Sequence, residues 1–307
     1  MPQQDFAFSG VYAAALTPLT GAGDPDIGLM ASHCRWLLDN GCGGLAILGT
    51  TGEANSFSVA ERIVILDGLA EAGIPGDTLM PGTGSCALPD AVALTKAALR
   101  NGAGCVLMLP PFYYKNPSDD GLFAAYSEII QAVGDGKLKI CLYHFPQMSG
   151  VPISYSLIER LLKEYPDTVV GMKDSSGDGD NMIGAAKNFP GFAVFAGSDE
   201  LLLPLIEAGG AGCITACANV GAKLAGEVYQ GWKNGDDVGA THEALTAVRN
   251  TIMKFPLSTA LKTLMARHSG NDDWLNIRPP LMRMSEADRE TLLEGFDALG
   301  YSIPPVA

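Results

Sequence analysis

One pattern repeats along the chain and limits the folds that it can adopt. A short apolar run ends in glycine, proline, serine or threonine, and a longer stretch with the period of an amphipathic helix follows it. The apolar runs are nearly continuous rather than alternating, which is typical of parallel strands covered on both faces. The eight runs are Tyr12–Leu19, Gly44–Thr51, Thr78–Gly84, Cys105–Pro111, Lys139–Pro146, Val169–Ser175, Ala193–Ser198 and Gly212–Asn219. Eight β/α units predict an α/β protein of the (β/α)8, or TIM, barrel class.

An open, doubly wound sheet is the alternative arrangement of parallel strands. The glycine fingerprint of dinucleotide-binding sheets does not follow the first run. Gly82 and Gly84 follow the third run, but a correctly spaced third glycine is absent. These observations favour the closed barrel.

Helical stretches continue after the eighth run to the end of the sequence, which is more than one barrel needs. We expect residues 1–220 to form the barrel and residues 221–307 to form a C-terminal helical extension packed on it. These helices could cover the barrel wall or form an oligomer interface. Local signals support the helices: Ser58 and Glu61 have the spacing of a capping box, and Gly41 and Gly102 follow helix ends.

Charge and cysteine content exclude several classes of function. The net charge is −14 and the pI is near 4.6, which argues against binding to nucleic acid or to an anionic membrane. The segment Met1–Gly10 lacks the features of a signal peptide, and no apolar run could span a bilayer, so we expect a cytoplasmic protein. The seven cysteines are scattered, and nothing near Cys213 and Cys217 completes a zinc site, so neither disulfides nor a metal site are expected.

The active site of a barrel lies at the carboxyl ends of its strands, where three segments carry reactive side chains. Lys173 follows a run of apolar or small residues in the sixth predicted strand. Burial disfavours the charged ammonium form, and a neutral amine can attack a carbonyl carbon to form an imine. The alternative is a structural lysine that reaches solvent from the strand end or pairs with Asp174.

The second segment is Leu48–Glu53, where two glycines and two threonines connect a strand to a helix. Such a turn can bind a carboxylate through its backbone N–H groups and hydroxyls, although it could equally be an ordinary connection. The third is Tyr143, whose phenol could relay protons or simply be a core tyrosine. His144 should face the opposite way because strand side chains alternate, so we interpret it as structural.

Taken in order, these segments resemble the dihydrodipicolinate synthase and N-acetylneuraminate lyase superfamily of class I aldolases. The main matches are Gly49-Thr50-Thr51-Gly52-Glu53, Tyr143-x-x-Pro146 and Gly171-x-Lys173-Asp174-Ser175-Ser176. Smaller matches are Thr17-Pro18, Pro111-Phe112-Tyr113-Tyr114, Ala196-Gly197-Ser198-Asp199, Gly209-Gly210-Ala211-Gly212-Cys213-Ile214, Ala218-Asn219 and Arg278-Pro279-Pro280-Leu281. The resemblance covers nearly the whole chain.

The resemblance implies a role for each matched residue. Lys173 corresponds to the Schiff-base lysine and Tyr143 to the neighbouring general acid/base. Tyr113, or its neighbour Tyr114, corresponds to a relay tyrosine that a neighbouring subunit supplies. The residues implied in binding the 2-oxo acid are Thr50, Thr51, Gly52, Gly197 and Ile214, and Thr51 also joins the hydroxyl relay. A homotetramer, built as a dimer of tight dimers, is the assembly that the resemblance implies.

One position departs from the pattern of dihydrodipicolinate synthases. They carry an arginine two residues after the proline of Tyr-x-x-Pro, and it helps to bind the carboxylate of an amino-acid semialdehyde. Met148 stands there in this chain, and a thioether cannot make a bidentate pair with a carboxylate.

We therefore expect a Schiff-base lyase or aldolase that acts on pyruvate or a related 2-oxo acid and needs neither cofactor nor metal. Alternatives are a Schiff-base dehydratase or deaminase of a deoxy-2-keto sugar acid or cyclic imino acid, and a true 4-hydroxy-tetrahydrodipicolinate synthase. A metal-dependent barrel aldolase and a non-catalytic keto-acid-binding regulatory protein are further alternatives.

Overall fold

The computed structural model of the chain describes residues 6–306. Met1–Asp5 and Ala307 lie outside the described residues. The prediction of a cytoplasmic protein uses the segment Met1–Gly10, so it rests partly on residues that are not described. The strands assigned within this range are β1 (Gly10–Ala13), β2 (Gly44–Leu45), β3 (Val106–Met108), β4 (Ile140–His144), β5 (Val169–Asp174), β6 (Ala193–Ala196) and β7 (Gly212–Thr215). The α-helices are α1 (Ile27–Asp39), α2 (Val59–Glu71), α3 (Leu88–Arg100), α4 (Asp119–Val133), α5 (Pro146–Ser149), α6 (Tyr155–Glu164), α7 (Gly179–Asn188), α8 (Leu202–Glu207), α9 (Ala218–Asn234), α10 (Gly239–Ile252), α11 (Leu257–Ser269) and α12 (Glu286–Asp297). Short 3-10 helices cover Ala54–Ser56, Gly76–Thr78, Asp199–Leu201 and Asp272–Leu275.

The chain folds as two compact units. Of the described residues, 6–9 and Pro75–Ile214 form the first, and Gly10–Ile74 with 215–306 form the second. Helices follow the strands along both, and every strand pair described below is parallel. The prediction of an α/β protein is therefore confirmed.

The first unit contains a parallel sheet in which β3, β4, β5 and β6 lie side by side in chain order and β7 follows β6. These strands are almost wholly buried, as the continuous apolar runs predict. The predicted third strand, Thr78–Gly84, is reduced to one parallel bridge between Gly82 and Leu107. Leu107 donates its N–H to the carbonyl of Pro81. Because Pro81 has no N–H of its own, the ladder is weak at this point.

The second unit pairs β1 with β2 in parallel and buries a core between its helices. The buried members of this core come from the segment after β1 and from the chain after β7: Leu16, Ala216, Cys217, Val220, Val248, Ile252, Ala260, Leu261, Leu264, Met265, Ala266, Trp274, Leu292 and Phe296. The strands are shorter than the predicted runs, and β1 ends at Ala13 where the predicted run continues to Leu19. The run from Gly44 ends as a strand at Leu45, and Leu48, three residues later, adopts a left-handed conformation, with φ of 54°. The run from Gly212 ends at Thr215, since α9 begins at Ala218.

Local sequence signals at the helix ends are confirmed. The Ser58 hydroxyl accepts the N–H of Glu61, and the Glu61 carboxylate accepts the N–H of Ser58, which completes the capping box of α2. Gly41 and Gly102 follow α1 and α3 with φ of 111° and 79°. Among residues 6–306, no helix combines the length and apolar character needed to cross a membrane.

Candidate active site

Lys173 lies near the end of β5, at the centre of the sheet of the first unit. Its register neighbours are Tyr143 on β4 and Phe195 on β6. Lys173 is only 5% exposed, and its Nζ donates to the Tyr143 hydroxyl across 3.3 Å. The same Nζ lies 4.5 Å from the centre of the Tyr143 ring. The structure thus joins, in one buried contact, the two residues that the sequence assigned to imine formation and proton transfer.

The neighbours of this pair face other partners. The Asp174 carboxylate accepts the N–H of Ser176 at 2.8 Å and the side-chain amide of Asn181 at 2.7 Å, so it orders the loop after β5. His144 is buried, and its Nδ1 accepts the N–H of Ile153 at 3.0 Å. Burial lowers the pKa of His144, against the opposing charges of Asp174 and Asp178. This contact supports the structural interpretation of His144.

Two glycines allow the strands and loops to approach closely around Lys173. A Cβ on Gly171 would lie 2.4 Å from the carbonyl oxygen of Ala193 on the adjacent strand. A Cβ on Gly197 would lie 2.2 Å from the Ser175 hydroxyl. Gly197 also donates its N–H to the carbonyl of Asp174 at 2.7 Å. Ile214, the other predicted lining residue of this unit, is fully buried in β7.

The remaining predicted residues of the first unit are exposed, on a loop or on the short helix α5. Tyr113 and Tyr114 are 72% and 78% exposed, and their rings meet edge to face at 5.3 Å. Met148 is 61% exposed on α5. Lys115 connects the loop of Tyr113 and Tyr114 to α5, because its Nζ donates to the carbonyls of Phe112 and Ser149.

The Thr50–Gly52 turn belongs to the second unit, where its backbone is held tightly. Thr51 is buried and its carbonyl accepts the Ser258 hydroxyl at 3.3 Å, whereas Thr50 is exposed. The carbonyl of Gly52 accepts the Thr17 hydroxyl at 2.8 Å. A Cβ on Gly52 would lie 2.8 Å from the carbonyl of Ala15, so only glycine fits here. The turn therefore has one defined conformation.

The sequence motifs predict no role for the side chains behind this turn, and they do not include Lys262. Glu53 forms a buried ion pair with Lys262 of α11. The Arg278 guanidinium donates to the carbonyls of Gly23 and Ser56 and to the carboxylate of Glu61. Its hydrogen bond to Glu61 lowers the pKa of that carboxyl to about 2. The available signal was a lysine placed between Leu261 and Leu264 in an apolar helix.

Within residues 6–306, no group of three or more His, Cys, Asp or Glu side chains could hold a metal ion. The fold and the contact between Lys173 and Tyr143 define the class of protein as an α/β protein with a buried lysine–tyrosine pair on adjacent parallel strands.

Comparison with known proteins identifies the family. The sequence profile of the Dihydrodipicolinate synthetase family matches residues 7–298. An uncharacterized DapA-like lyase of Chloroflexus aurantiacus is 35% identical, over 96% of this chain and 98% of that protein. A 4-hydroxy-tetrahydrodipicolinate synthase of Methanopyrus kandleri is 32% identical, over 96% of this chain and 97% of that protein. The crystal structure of dihydrodipicolinate synthase from Agrobacterium tumefaciens superposes with a TM-score of 0.88 at 33% identity, over 95% and 99% of the two chains.

The chain belongs to the Dihydrodipicolinate synthetase family. It is similar throughout its length to lyases of that family, and the resemblance inferred from its motifs is confirmed.

Proposed function

We propose that this protein is a Schiff-base lyase in which Lys173 forms an imine with pyruvate or a related 2-oxo acid. The observation that carries the proposal is the buried amine of Lys173, 3.3 Å from the Tyr143 hydroxyl. A lysine is rarely buried without a charged partner, whereas an amine nucleophile beside a proton carrier needs this arrangement. Asp174, the alternative partner, accepts hydrogen bonds from Ser176 and Asn181.

The chemistry follows from these two side chains. The neutral amine attacks the ketone carbon, and the resulting carbinolamine loses water to give a protonated imine. Tyr143 carries a proton from the nitrogen of the first adduct to its oxygen, and a second proton, supplied by solvent through the same phenol, lets the hydroxyl leave as water. In a 4-hydroxy-2-oxo acid, the 4-hydroxyl loses its proton and that fragment leaves as an aldehyde when the C–C bond breaks, while the imine takes the electron pair of the bond to give an enamine. Protonation of the enamine carbon and hydrolysis of the imine then release the keto acid and the free lysine.

The Thr50–Gly52 turn is the proposed carboxylate site. Backbone N–H groups and the hydroxyls of Thr50 and Thr51 suit a carboxylate, which a 2-oxo acid carries beside its ketone. Gly197 and Ile214 are the proposed lining residues around the bound acid. We extend the proposal to a closed (β/α)8 barrel over residues 1–220 with residues 221–307 packed on it, acting in the cytoplasm.

We also propose a homotetramer. The support is the exposure of Tyr113 and Tyr114, two adjacent aromatic rings that a neighbouring subunit would cover. Tyr113 would then join the proton relay of the neighbouring site, as the family resemblance implies.

Reduction with borohydride in the presence of pyruvate tests the imine. We expect a stable adduct on the peptide that contains Lys173, located by mass spectrometry. Lys173→Ala should lose turnover by at least about 10⁴-fold while keeping its circular dichroism spectrum, because the nucleophile is gone and the fold is not. Lys96→Ala, at an exposed helix position, is the matched control and should leave the adduct unchanged. An unlabelled Lys173 peptide, or full turnover in Lys173→Ala, would show that the mechanism is wrong.

The acceptor that meets the enamine depends on the residues near Met148. A screen for pyruvate release from keto-deoxy sugar acids, sialic acid and 4-hydroxy-2-oxo acids would identify it, with a semialdehyde condensation assay beside it. Because Met148 cannot pair with a carboxylate, we expect cleavage of a hydroxylated keto acid to exceed semialdehyde condensation. Dominant condensation would instead identify a 4-hydroxy-tetrahydrodipicolinate synthase, the activity for which the Methanopyrus relative is named.

A further inference from the structure

The Thr50–Gly52 turn is bounded by two residues in an unfavourable backbone conformation. Leu48 and Glu53 have φ of 54° and 56°, in the left-handed region that residues with a side chain rarely adopt. Such a conformation persists only where the surrounding contacts hold it. At Glu53, the contacts that hold the left-handed conformation are made by its own carboxylate.

The Glu53 side chain is fully enclosed by partners from the C-terminal part of the second unit. Its Oε1 forms an ion pair with Lys262 Nζ, and the two side chains are 0% and 2% exposed. Its Oε2 accepts the backbone N–H of Arg278 at 3.4 Å. Lys262 is fixed in turn, since its Nζ donates to the carbonyl of Asn276 at 2.8 Å.

Backbone hydrogen bonds join Glu53 directly to the turn. Its N–H donates to the carbonyl of Thr50 at 3.1 Å, and its carbonyl accepts the N–H of Ser56 at 2.8 Å. Ala54 donates to the carbonyl of Gly49 at 3.1 Å. A rotation of Glu53 out of the left-handed region would therefore displace Thr50 and its neighbours.

We propose that the buried Glu53–Lys262 ion pair is a positioning element for the carboxylate site, which holds Glu53 left-handed and keeps the Thr50–Gly52 turn ready for the 2-oxo acid. The inference rests on the proposed function, in which this turn binds the substrate carboxylate. Neither side chain is placed in contact with the substrate. Lys262 acts through Glu53, and Glu53 acts through the backbone of the turn.

Each charge of the pair needs the other, because neither side chain is exposed to water. Burial lowers the pKa of Lys262 from its ordinary value, and the charge of Glu53 opposes this shift. Removing Lys262 alone leaves a buried carboxylate without its ion-pair partner, and that carboxylate must move toward water or take up a proton. Either response releases the contact that holds the turn.

The test uses the purified full-length protein, pyruvate and cyanoborohydride. The rate of Lys173 adduct formation is measured against pyruvate concentration, which gives a half-saturating concentration and a maximal rate. For Lys262→Met we expect the half-saturating concentration to rise about tenfold or more and the maximal rate to change by less than about threefold, because binding geometry is lost and the nucleophile is intact. Glu53→Gln removes the other charge of the pair and should raise the half-saturating concentration in the same direction, because the ammonium of Lys262 then lacks its ion-pair partner.

Lys223→Met is the matched control. Lys223 pairs with Glu227 at 3.9 Å, but both side chains are more than half exposed, so its removal should leave both parameters unchanged. If Lys262→Met fails to fold, the double variant E53Q/K262M removes both buried charges and should fold while keeping the raised half-saturating concentration.

The possible outcomes are distinct. A wild-type adduct together with a half-saturating concentration within twofold of wild type, in Lys262→Met or in the double variant, overturns the positioning role alone. Absence of an adduct on wild-type Lys173 refutes the proposed function, and the inference falls with it. A raised half-saturating concentration with a preserved maximal rate supports the inference, because a merely stabilising contact would reduce the amount of folded protein instead.

Discussion

At the scale of single residues, exposure decides what Met148 can do. The side chain is 61% exposed on α5, next to the segment that Lys115 ties to the loop of Tyr113 and Tyr114. An exposed thioether offers weak hydrogen-bonding capacity and no charge to a second substrate. Lys173 and Tyr143, by contrast, are buried and in contact, so the proposed imine chemistry and the proposed choice of acceptor would depend on different parts of the unit.

Met148→Arg tests whether this residue limits the choice of acceptor. A guanidinium can form a charge-assisted pair with a semialdehyde carboxylate, so we expect kcat/KM for condensation of pyruvate with aspartate semialdehyde to rise roughly tenfold. Met148→Gln keeps the exposed position without the charge and should change kcat/KM by less than about twofold. Steady-state kinetics of the three proteins make the comparison, and equal kcat/KM values would assign the choice of acceptor elsewhere.

At the scale of elements, one asparagine connects the start of α9 with the segment that follows β1. The Asn219 side chain accepts the N–H of Leu16 at 3.0 Å and a hydrogen bond from His33 Nε2 at 2.9 Å. Its amide donates to the carbonyls of Ala14 at 2.8 Å and Ala216 at 2.7 Å. All of these groups are buried, so Asn219 fixes the start of α9 against the segment that follows β1.

Asn219→Ala should therefore be strongly destabilising. The change leaves buried backbone and imidazole groups without partners, and we expect the free energy of unfolding to fall by about 3 kcal/mol or more. Asn188→Ala removes an exposed side-chain hydrogen bond to Gly184 and should change it by less than about 0.5 kcal/mol. Urea denaturation followed by circular dichroism measures both; similar midpoints for the two variants would contradict the assigned role.

At the scale of the whole molecule, the pH dependence of stability has an identifiable contributor. His33 is buried between aromatic rings, with the ring of Trp274 at 5.0 Å. Burial lowers the pKa of His33 to about 4, and the hydrogen bond to Asn219 only partly opposes the shift. Between the unfolded value of 6.5 and about 4, the unfolded chain binds more protons than the folded chain. The contribution of His33 to the free energy of unfolding is complete above pH 6.5 and is lost as the pH falls toward about 4.

His33→Gln tests this contribution. A shift of this size corresponds to about 3 kcal/mol across the window, so the free energy of unfolding of the wild type should fall more steeply with acidification by about that amount. Urea denaturation at several pH values between 7 and 4.5 gives the two slopes. If the free energy of unfolding depends on pH equally in wild type and variant, a group other than His33 determines the loss of stability in acid.

Much of the fold was predictable because its signals are local. Continuous apolar runs, the Ser58 capping box and the glycines after α1 and α3 depend on neighbours within a few residues, and they predicted the alternation of strands and helices. Strand ends were less predictable. Pro81 weakens one ladder and Leu48 turns the chain early, and neither effect appears in an apolar pattern.

The sequence by itself determined the α/β class, the family and the choice of Lys173, Tyr143 and the Thr50–Gly52 turn as candidates, because reactive side chains at the ends of apolar runs are visible in linear order. Only the tertiary structure decided which of them meet. The register of β4 against β5 brings Tyr143 to Lys173, and the packing of α11 brings Lys262 to Glu53. Such contacts join residues far apart in the chain, and they form only when strands pair and helices bury their apolar faces.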